Sequence, residues 1–332
     1  MLTPRRTPSP ADGALVPADG ALPAPGAFDS HSHMDIMGLP VDGVLAAARA
    51  MGIGRVVNVG CDLPSARWSV ACAAEYAEVY AAVAIHPNET ASVDSERGET
   101  LADLEALAAS PKVVAIGETG LDYYRDWSPR PTQRDWFRAH IEIARRTGKA
   151  LMIHDREAHD DVLAILAEFA PWPPYSVILH CFSGDAEMAG RCAEAGYVMS
   201  FAGNVTFKNA QPLRGAALVA PPELILAETD APYLTPVPHR GKPNSPAMAA
   251  YTIRFLAELK NLDLAEFCAQ LQSTGARVFG WLCPRPVLHM DLDCAIGCAP
   301  ATLVAQSMSL TVGPTPTRGR NERERGAAAE GR

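Results

Sequence analysis

Short runs rich in β-branched and other apolar residues alternate with longer amphipathic stretches through most of the chain. Eight such runs are present, at residues 27–35, 55–61, 80–87, 113–122, 150–155, 175–184, 197–204 and 223–230. Helix-like stretches lie between them, including residues 40–52, 100–110 and 131–148. Eight strands separated by helices are typical of a (β/α)8 TIM barrel, which is the fold class predicted here. A doubly wound open sheet is the alternative, but the glycine-rich phosphate loop that normally follows its first strand is not found in this sequence.

The two ends of the chain differ in composition from this central region. Residues 1–27 are rich in proline, alanine and glycine, and the last twenty residues read "GPTPTRGRNERERGAAAEGR". Segments of such composition bury too little apolar surface to offset the entropy of ordering the chain. We therefore predict a barrel domain of residues 28–283 between two disordered extensions, 1–27 and 284–332.

The overall charge and the cysteines limit the partners and the compartment of the protein. The formal net charge is −9 and the sequence pI is about 5.5, so no broad basic surface for nucleic acid is expected. A small basic groove is compatible with this net charge. The eight cysteines include no C-x-x-C pair, as expected for reduced thiols. No run approaches the roughly 20 apolar residues that span a membrane. A cytoplasmic protein without a membrane partner is predicted.

Side chains that can bind metals recur at the ends of the predicted strands. Six of them form the candidate site: His31, His33, Glu118, His154, His180 and Asp230. Because the carboxyl ends of the strands of a TIM barrel form the rim that carries active sites, we expect these side chains to meet. Four imidazoles and two carboxylates suit one divalent ion, or two if one carboxylate bridges them. Asp230 is the candidate general base because the last strand closes beside the first.

Each of these residues also has a purely structural interpretation. His154 or His180 alone would more often be a hydrogen-bonded core histidine. Glu118 in "GETG" would satisfy turn amides, and Asp230 in "TDAP" would begin a helix or an Asx turn. Only the shared position at the strand ends favours a metal site. Three further histidines, in helical stretches or a loop, are predicted to be surface groups: His140, His159 and His239.

Several stretches of the chain together resemble a known family. They read "DSHSHMD", "IGETGLDYYRD", "IHDREAHDD", "HCFSGD", "SFAGNVTFKNA" and "ETDAPYLTPVPHRGK". In this order they resemble the TatD family of metal-dependent hydrolases, over about residues 28–283. The resemblance implies a TIM barrel of the metallo-dependent hydrolase type and a metal-dependent deoxyribonuclease activity.

The resemblance also implies roles for the six candidate ligands. It implies two divalent ions, Mg²⁺, Mn²⁺ or Zn²⁺, and divides the ligands into three groups: His31, His33 and Asp230 for one ion, His154 and His180 for the other, and Glu118 as the bridge. Asp230 would also orient or deprotonate the attacking water.

Residues beside this set are predicted to contact the substrate. His86 matches a family histidine at the end of the third strand, where a substrate or phosphate contact is expected. Arg156 either pairs with a phosphate oxygen or forms a surface ion pair. Tyr123 and Tyr124 either stack against a base or pack within the protein.

Two positions depart from the family pattern. Ser245 in "HRGKPNSP" stands where the glutamate of an "NEP" sequence is expected, which puts a contact near the metals in doubt. Gly275 stands in the last predicted helix where a helix-favouring residue is expected, and it would weaken that helix by up to about 1 kcal/mol.

Three functions remain open on the sequence alone. The first is hydrolysis of phosphodiester bonds in DNA, as an exonuclease on single-stranded or exposed ends. The second keeps the metals but cleaves a carboxyl ester, such as an aminoacyl ester on RNA. The third is a metal-stabilised binding module without catalytic activity.

Overall fold

Eight parallel strands lie side by side in chain order in this computed structural model, which describes residues 20–174 and 176–281. The strands are β1 (Ala27–Ser32), β2 (Ile53–Gly60), β3 (Val79–Val83), β4 (Val113–Asp122), β5 (Ala150–Arg156), β6 (Val177–Leu179), β7 (Val198–Phe201) and β8 (Ile225–Ala227). Each strand pairs in parallel with its neighbours in the sequence.

The first strand meets the segment that follows the last one, and the sheet closes into a barrel. Ser32 and Ala231 form a parallel bridge. The His33 N–H donates to the Ala231 carbonyl at 2.8 Å, and the Asp230 N–H donates to the His31 carbonyl at 3.0 Å. Sequential strand order with closure confirms the TIM barrel prediction and excludes the doubly wound sheet.

Helices occupy the connections between the strands, and two more follow β8. They are α1 (Val41–Ala50), α2 (Leu63–Glu75), α3 (Thr90–Val93), α4 (Arg97–Ala108), α5 (Arg130–Thr147), α6 (His159–Glu168), α7 (Ala186–Glu194), α8 (Gln211–Val219), α9 (Ala249–Leu259) and α10 (Leu264–Phe279). Local sequence accounts for several helix ends. Asp62 and Ser65 form a reciprocal capping box at the start of α2, and α5 ends at Gly148, which adopts a left-handed φ of 64°.

The strands are buried on both faces, as expected for a parallel sheet covered by helices. All ten residues of β4 are buried, and so are all six of β1. Large side chains such as Phe28, Trp136 and Phe137 fill the space around the strands. A close-packed barrel of this kind gives the strand ends fixed positions at the rim.

Part of the predicted N-terminal extension lies against the barrel. Residues 20–26, which the sequence assigns to the leader, lie against the barrel: the Leu22 N–H donates to the Met51 carbonyl at 3.0 Å, and Arg254 Nε donates to the Gly20 carbonyl at 2.8 Å. Leu22 itself is buried, so this part of the leader has apolar contacts. The rest of the predicted extensions, 1–19 and 282–332, lies outside the described residues.

Within the described ranges, no helix has the length and apolar character needed to cross a membrane. The cysteines of these ranges are free thiols, as predicted: Cys61, Cys72, Cys181, Cys192 and Cys268.

Gly275 has a packing role that its helix propensity does not reveal. It lies in α10, and a Cβ atom there would stand 2.4 Å from Cζ of Phe28 and 3.0 Å from Cζ2 of Trp281. Phe28 is buried and meets Trp281 edge to face, with ring centroids 5.0 Å apart. The helix therefore approaches β1 closely because residue 275 has no side chain.

Gly275→Ala is expected to destabilise the protein by about 1–2 kcal/mol, because overpacking a full core outweighs the gain in helix propensity. Gly190→Ala in α7 is the matched control, since nothing lies within 4 Å of a Cβ there. We expect the control to stabilise by about 0.5–1 kcal/mol. Urea unfolding measures both changes, and equal stabilisation by the two substitutions would contradict the packing role.

Candidate metal centre

The six predicted ligands lie together at the rim formed by the carboxyl ends of the strands. His31, Glu118 and His154 lie on β1, β4 and β5. His33, His180 and Asp230 lie in the segments that follow β1, β6 and β8. The two carboxylates and four imidazoles are wholly or largely buried. The barrel thus gathers ligands from distant parts of the chain into one cluster.

Glu118 stands at the centre of this cluster and contacts two groups of histidines with its two oxygens. Its Oε1 lies 2.6 Å from His154 Nδ1 and 2.8 Å from His180 Nε2. Its Oε2 lies 3.5 Å from His31 Nε2 and 3.7 Å from His33 Nε2. A carboxylate placed in this way can bridge two ions, each held by one pair of imidazoles.

Asp230 faces the histidine pair of the first strand. Its Oδ1 lies 3.5 Å from His33 Nε2 and 4.0 Å from His31 Nε2, and His31 Nε2 is 3.1 Å from His33 Nε2. The side chain is 16% exposed, so part of it faces solvent at the rim. Its φ of 51° lies in the left-handed region, which costs a non-glycine residue free energy and is common at functional sites.

Three neighbouring groups orient the imidazoles. His33 Nδ1 donates to the Val59 carbonyl at 2.9 Å, His154 Nε2 lies 3.3 Å from an Asp122 oxygen, and His180 Nδ1 lies 3.2 Å from a Glu228 oxygen. Each contact requires a proton on that ring nitrogen in the neutral tautomer. The opposite nitrogen then presents its lone pair to the cluster, which is the usual arrangement for metal-ligating histidines.

The donor set therefore fits divalent metal ions. Three groups of ligand atoms lie within 4.8 Å of one another: those of His31, His33 and Glu118, those of His31, His180 and Glu228, and those of His86, Glu118 and His154. Imidazole nitrogens with carboxylate oxygens suit zinc and similar transition ions, and the carboxylates also suit manganese and magnesium.

The charges of the cluster shift its pKa values. Burial alone would raise the pKa of Glu118, but the charges of His180 and His86 and the hydrogen bonds from His154 and His180 hold it well below its ordinary value. Burial would lower the pKa of His180, but Glu118 and Glu228 raise it to about 10. Glu118 is therefore an anion throughout the neutral range, and protons compete with metal ions for the histidine nitrogens.

Asp122 and Glu228, which orient His154 and His180, are missing from the sequence-based set. Both side chains are buried, and Glu228 also accepts the Cys181 N–H at 2.8 Å. The signal was their spacing. Asp122 lies four residues after Glu118 in the run 113–122, and Glu228 lies two residues before Asp230 in the run 223–230, so alternation along the predicted strands would place each pair on one face.

The four predicted substrate contacts lie at the same rim but differ in availability. His86 Nε2 lies 3.5 Å from Glu118 Oε1, and Arg156 Cζ lies 4.1 Å from the Tyr124 ring centroid. The Tyr123 hydroxyl donates to Asp161 at 2.6 Å and its ring is partly buried, whereas the ring of Tyr124 is 58% exposed. Tyr123 is packed within the protein, and Tyr124 is open to a ligand.

Ser245 lies beneath the segment that carries Asp230. Ser245 is buried. Its N–H donates to the Asn244 side-chain oxygen at 3.0 Å, so it is not available to a substrate. The Asn244 amide in turn donates to the Thr229 carbonyl at 2.9 Å, next to Asp230. Asn244 therefore ties this segment to the loop after β8, whereas the buried Ser245 hydroxyl has no hydrogen-bond partner among the described residues.

The prediction that His140 is a surface residue is wrong. The residue is fully buried on the inner face of α5, where its Nδ1 lies 2.8 Å from Thr119 Oγ1 and its Nε2 accepts the Ile85 N–H at 3.3 Å. The other two histidines of that prediction, His159 and His239, are partly exposed. Burial lowers the pKa of His140 to about 3.

This burial predicts a loss of stability in acid. Because the folded pKa lies below the unfolded value near 6.5, the contribution of His140 is complete above pH 6.5 and is lost as the pH falls towards 3. The loss is about 1.4 kcal/mol per pH unit, or about 2 kcal/mol at pH 5. Urea unfolding between pH 7 and 5 should therefore show a shallower pH dependence for His140→Gln than for the wild type. Equal slopes would contradict the assignment.

Comparison with known proteins places these features in a family. The sequence profile of a family described as "TatD related DNase" matches residues 28–280. A relative from Mycobacterium tuberculosis, described as an uncharacterized metal-dependent hydrolase TatD, is 46% identical over an alignment of 262 residues that covers 76% of this chain and 97% of the relative. The uncharacterized metal-dependent hydrolase YcfH of Escherichia coli K12 is 39% identical over 257 residues, 76% of this chain and 94% of the relative.

Solved structures show the same architecture. The crystal structure of YJJV, a TatD homologue from Escherichia coli K12, matches with a TM-score of 0.70 at 26% identity and covers 77% of this chain and 98% of that chain. A TatD family hydrolase from Entamoeba histolytica matches with a TM-score of 0.68 at 20% identity, over 79% of this chain and 99% of that chain. The second likeness concerns the fold alone.

Proposed function

Because the chain belongs to the TatD family of metal-dependent hydrolases, we propose that it hydrolyses phosphodiester bonds of DNA. In this proposal it is a cytoplasmic deoxyribonuclease that acts on single-stranded or exposed ends. The observation that carries the proposal is the position of Glu118, whose two oxygens contact two separate pairs of imidazoles at the barrel rim.

Two divalent ions, Mg²⁺, Mn²⁺ or Zn²⁺, are proposed for this centre. His31 and His33 with Asp230 would hold one, and His154 and His180 would hold the other, with Glu118 shared. When bound, such ions lower the pKa of a water and stabilise charge on phosphoryl oxygens. The orienting contacts of the imidazoles, described above, keep the required lone pairs directed into the site.

Asp230 is the proposed proton acceptor. Its pKa is lowered: burial would raise it, but the hydrogen bond from His33 and the charges of His31, His33 and His180 outweigh burial. The carboxylate is therefore ionised at neutral pH and can orient the attacking water and take its proton. The partial exposure of this side chain gives a substrate phosphate access to the same place.

His86 and Arg156 are proposed to bind the phosphate. His86 Nδ1 accepts the Asn88 N–H at 3.1 Å, which leaves Nε2 as the protonated nitrogen of the neutral ring. Burial lowers the pKa of His86 and favours that neutral form. His86 is therefore better suited to donate a hydrogen bond to a phosphate oxygen than to bind a metal ion. The Arg156 guanidinium, two residues after His154 at the end of β5, adds positive charge at the same rim.

Defined oligonucleotides and a metal panel test this proposal. Single-stranded DNA labelled at its 5′ or 3′ end is incubated with the metal-free protein and with Mg²⁺, Mn²⁺ or Zn²⁺. We expect metal-dependent shortening from one end and its loss in His31→Ala and His154→Ala. No product with any metal, or equal product from the variants, would overturn the proposal. Faster cleavage of an aminoacyl ester than of DNA would favour the alternative deacylase.

A further inference from the structure

The strongly exposed aromatic side chains of the described residues are concentrated at the metal rim. Tyr124 is 58% exposed, Trp127 is 61% exposed and Tyr233 is 49% exposed. The first two lie in the loop after β4, and the third lies in the loop after β8. Exposed aromatic rings cost free energy in water, and their clustering beside a candidate active site points to a ligand that covers them.

Two of these rings are paired with arginines. Arg156 Cζ lies 4.1 Å from the ring centroid of Tyr124, and Arg125 Cζ lies 4.9 Å from that of Trp127. In the part of the chain that the structure describes, neither guanidinium forms an ion pair with a carboxylate. The nearby Asp126 is instead 3.4 Å from Arg130. Each ring therefore has a cation at its side whose charge is available to an anion.

The loop that carries Tyr124 and Trp127 is attached to the metal centre through one carboxylate. Asp122 Oδ2 lies 3.3 Å from His154 Nε2, and Asp122 Oδ1 accepts the backbone N–H groups of Tyr124 at 3.1 Å and Arg125 at 2.8 Å. The Trp127 N–H lies 3.4 Å from the side-chain oxygen of Asn88. The backbone that carries the two rings is therefore held next to a proposed metal ligand.

We propose that Tyr124 and Trp127, with Arg156 and Arg125, form a stacking platform for the unpaired nucleotides next to the scissile phosphate. This inference rests on the proposed function of the metal centre. Aromatic faces beside guanidinium groups match the alternation of bases and phosphates in single-stranded DNA. In a duplex the base faces are covered by their neighbours, so the platform selects single strands. It also supplies local positive charge in a chain whose formal net charge is −9.

Binding measured without metal tests the platform apart from catalysis. Fluorescence anisotropy of a labelled thymidine oligonucleotide of about 10 nucleotides is followed in EDTA, with a duplex of the same length for comparison. We expect Trp127→Ala to weaken single-strand binding about tenfold, and Trp127→Phe to restore most of it, because stacking needs a ring. Duplex binding should be weaker than single-strand binding in the wild type and should change less in the variant.

Trp172→Ala is the matched control. Trp172 is also paired with an arginine, since Arg145 Cζ lies 6.0 Å from its ring, but this pair lies near the loops that enter the strands, at the opposite end of the barrel. We expect this variant to bind DNA like the wild type. Equal weakening by Trp127→Ala and Trp172→Ala, or no weakening by Trp127→Ala, would overturn the platform.

Hydrolysis separates this inference from the proposed function. Methyl p-nitrophenyl phosphate, a small phosphodiester with no nucleotides flanking the scissile bond, is the comparison substrate. We expect Trp127→Ala to raise KM for the oligonucleotide about tenfold relative to KM for the small diester. If the wild type cleaves both substrates and this ratio does not change, the platform fails while the proposed function stands. If the wild type cleaves neither but Trp127→Ala still weakens binding, the proposed function fails and the platform stands.

Discussion

Glu118→Gln is expected to lower kcat/KM for single-stranded DNA by about 10³-fold or more and to reduce the metal content of the purified protein. The carboxylate contacts all four imidazoles of the centre, at distances between 2.6 and 3.7 Å. Glutamine keeps its shape but removes the charge that balances bound cations. Several kcal/mol of transition-state stabilisation depend on those cations, which corresponds to a change of this size in rate.

Metal analysis by mass spectrometry and DNA cleavage measured on the same samples check this prediction. Glu157→Gln is the control, because Glu157 is exposed and follows Arg156 on the same rim. We expect the control to keep both metal and activity. Full metal content with lost activity would show that Glu118 acts on the substrate, and unchanged activity would contradict the bridging role altogether.

Asp230→Asn is expected to lower kcat by about 10²- to 10⁴-fold while KM for DNA changes little, since removal of a positioned proton acceptor affects the chemical step. Asparagine cannot accept the proton of the attacking water, although it occupies the same volume. Single-turnover cleavage with saturating protein separates this step from binding. Asp160→Asn, at a fully exposed position in α6, is the control. An equal loss in both variants, or a rise in KM without a fall in kcat, would contradict the assignment.

The sequence predicts the barrel well because its strands differ from their surroundings in composition. The fourth run, 113–122, coincides with β4, and the helix-like stretch 131–148 is shifted by one residue from α5. The predicted and observed strands agree less well where an apolar run of the sequence continues beyond the residues that pair with the neighbouring strand. The sixth run, 175–184, contains a strand of only three residues, because the residues after Leu179 turn into the rim and form the site.

The candidate ligands were identifiable because a barrel brings all strand ends together, whatever their separation in sequence. The burial and the contacts of each side chain are harder to predict from the sequence. His140 was misplaced although Trp136, Phe137 and Ala144 share the buried face of α5 with it, a pattern that the 3.6-residue period contains. The exposure of Trp127 depends on the path of a loop, for which the sequence has no periodic signal.

The closure of the barrel has a consequence for the order of folding. The backbone bonds that join the first strand to the segment after the last one involve His31, His33 and Asp230 themselves, and Asp29 accepts the Thr229 N–H at 2.8 Å across 200 residues of chain. A chain with seven strands in place has therefore not yet assembled the His31, His33 and Asp230 side of the centre. Contacts of such long range form slowly, since most of the loop entropy must be lost first. Metal ions that bind only the closed barrel would stabilise it by mass action, and they would hold the two ends of the sheet together.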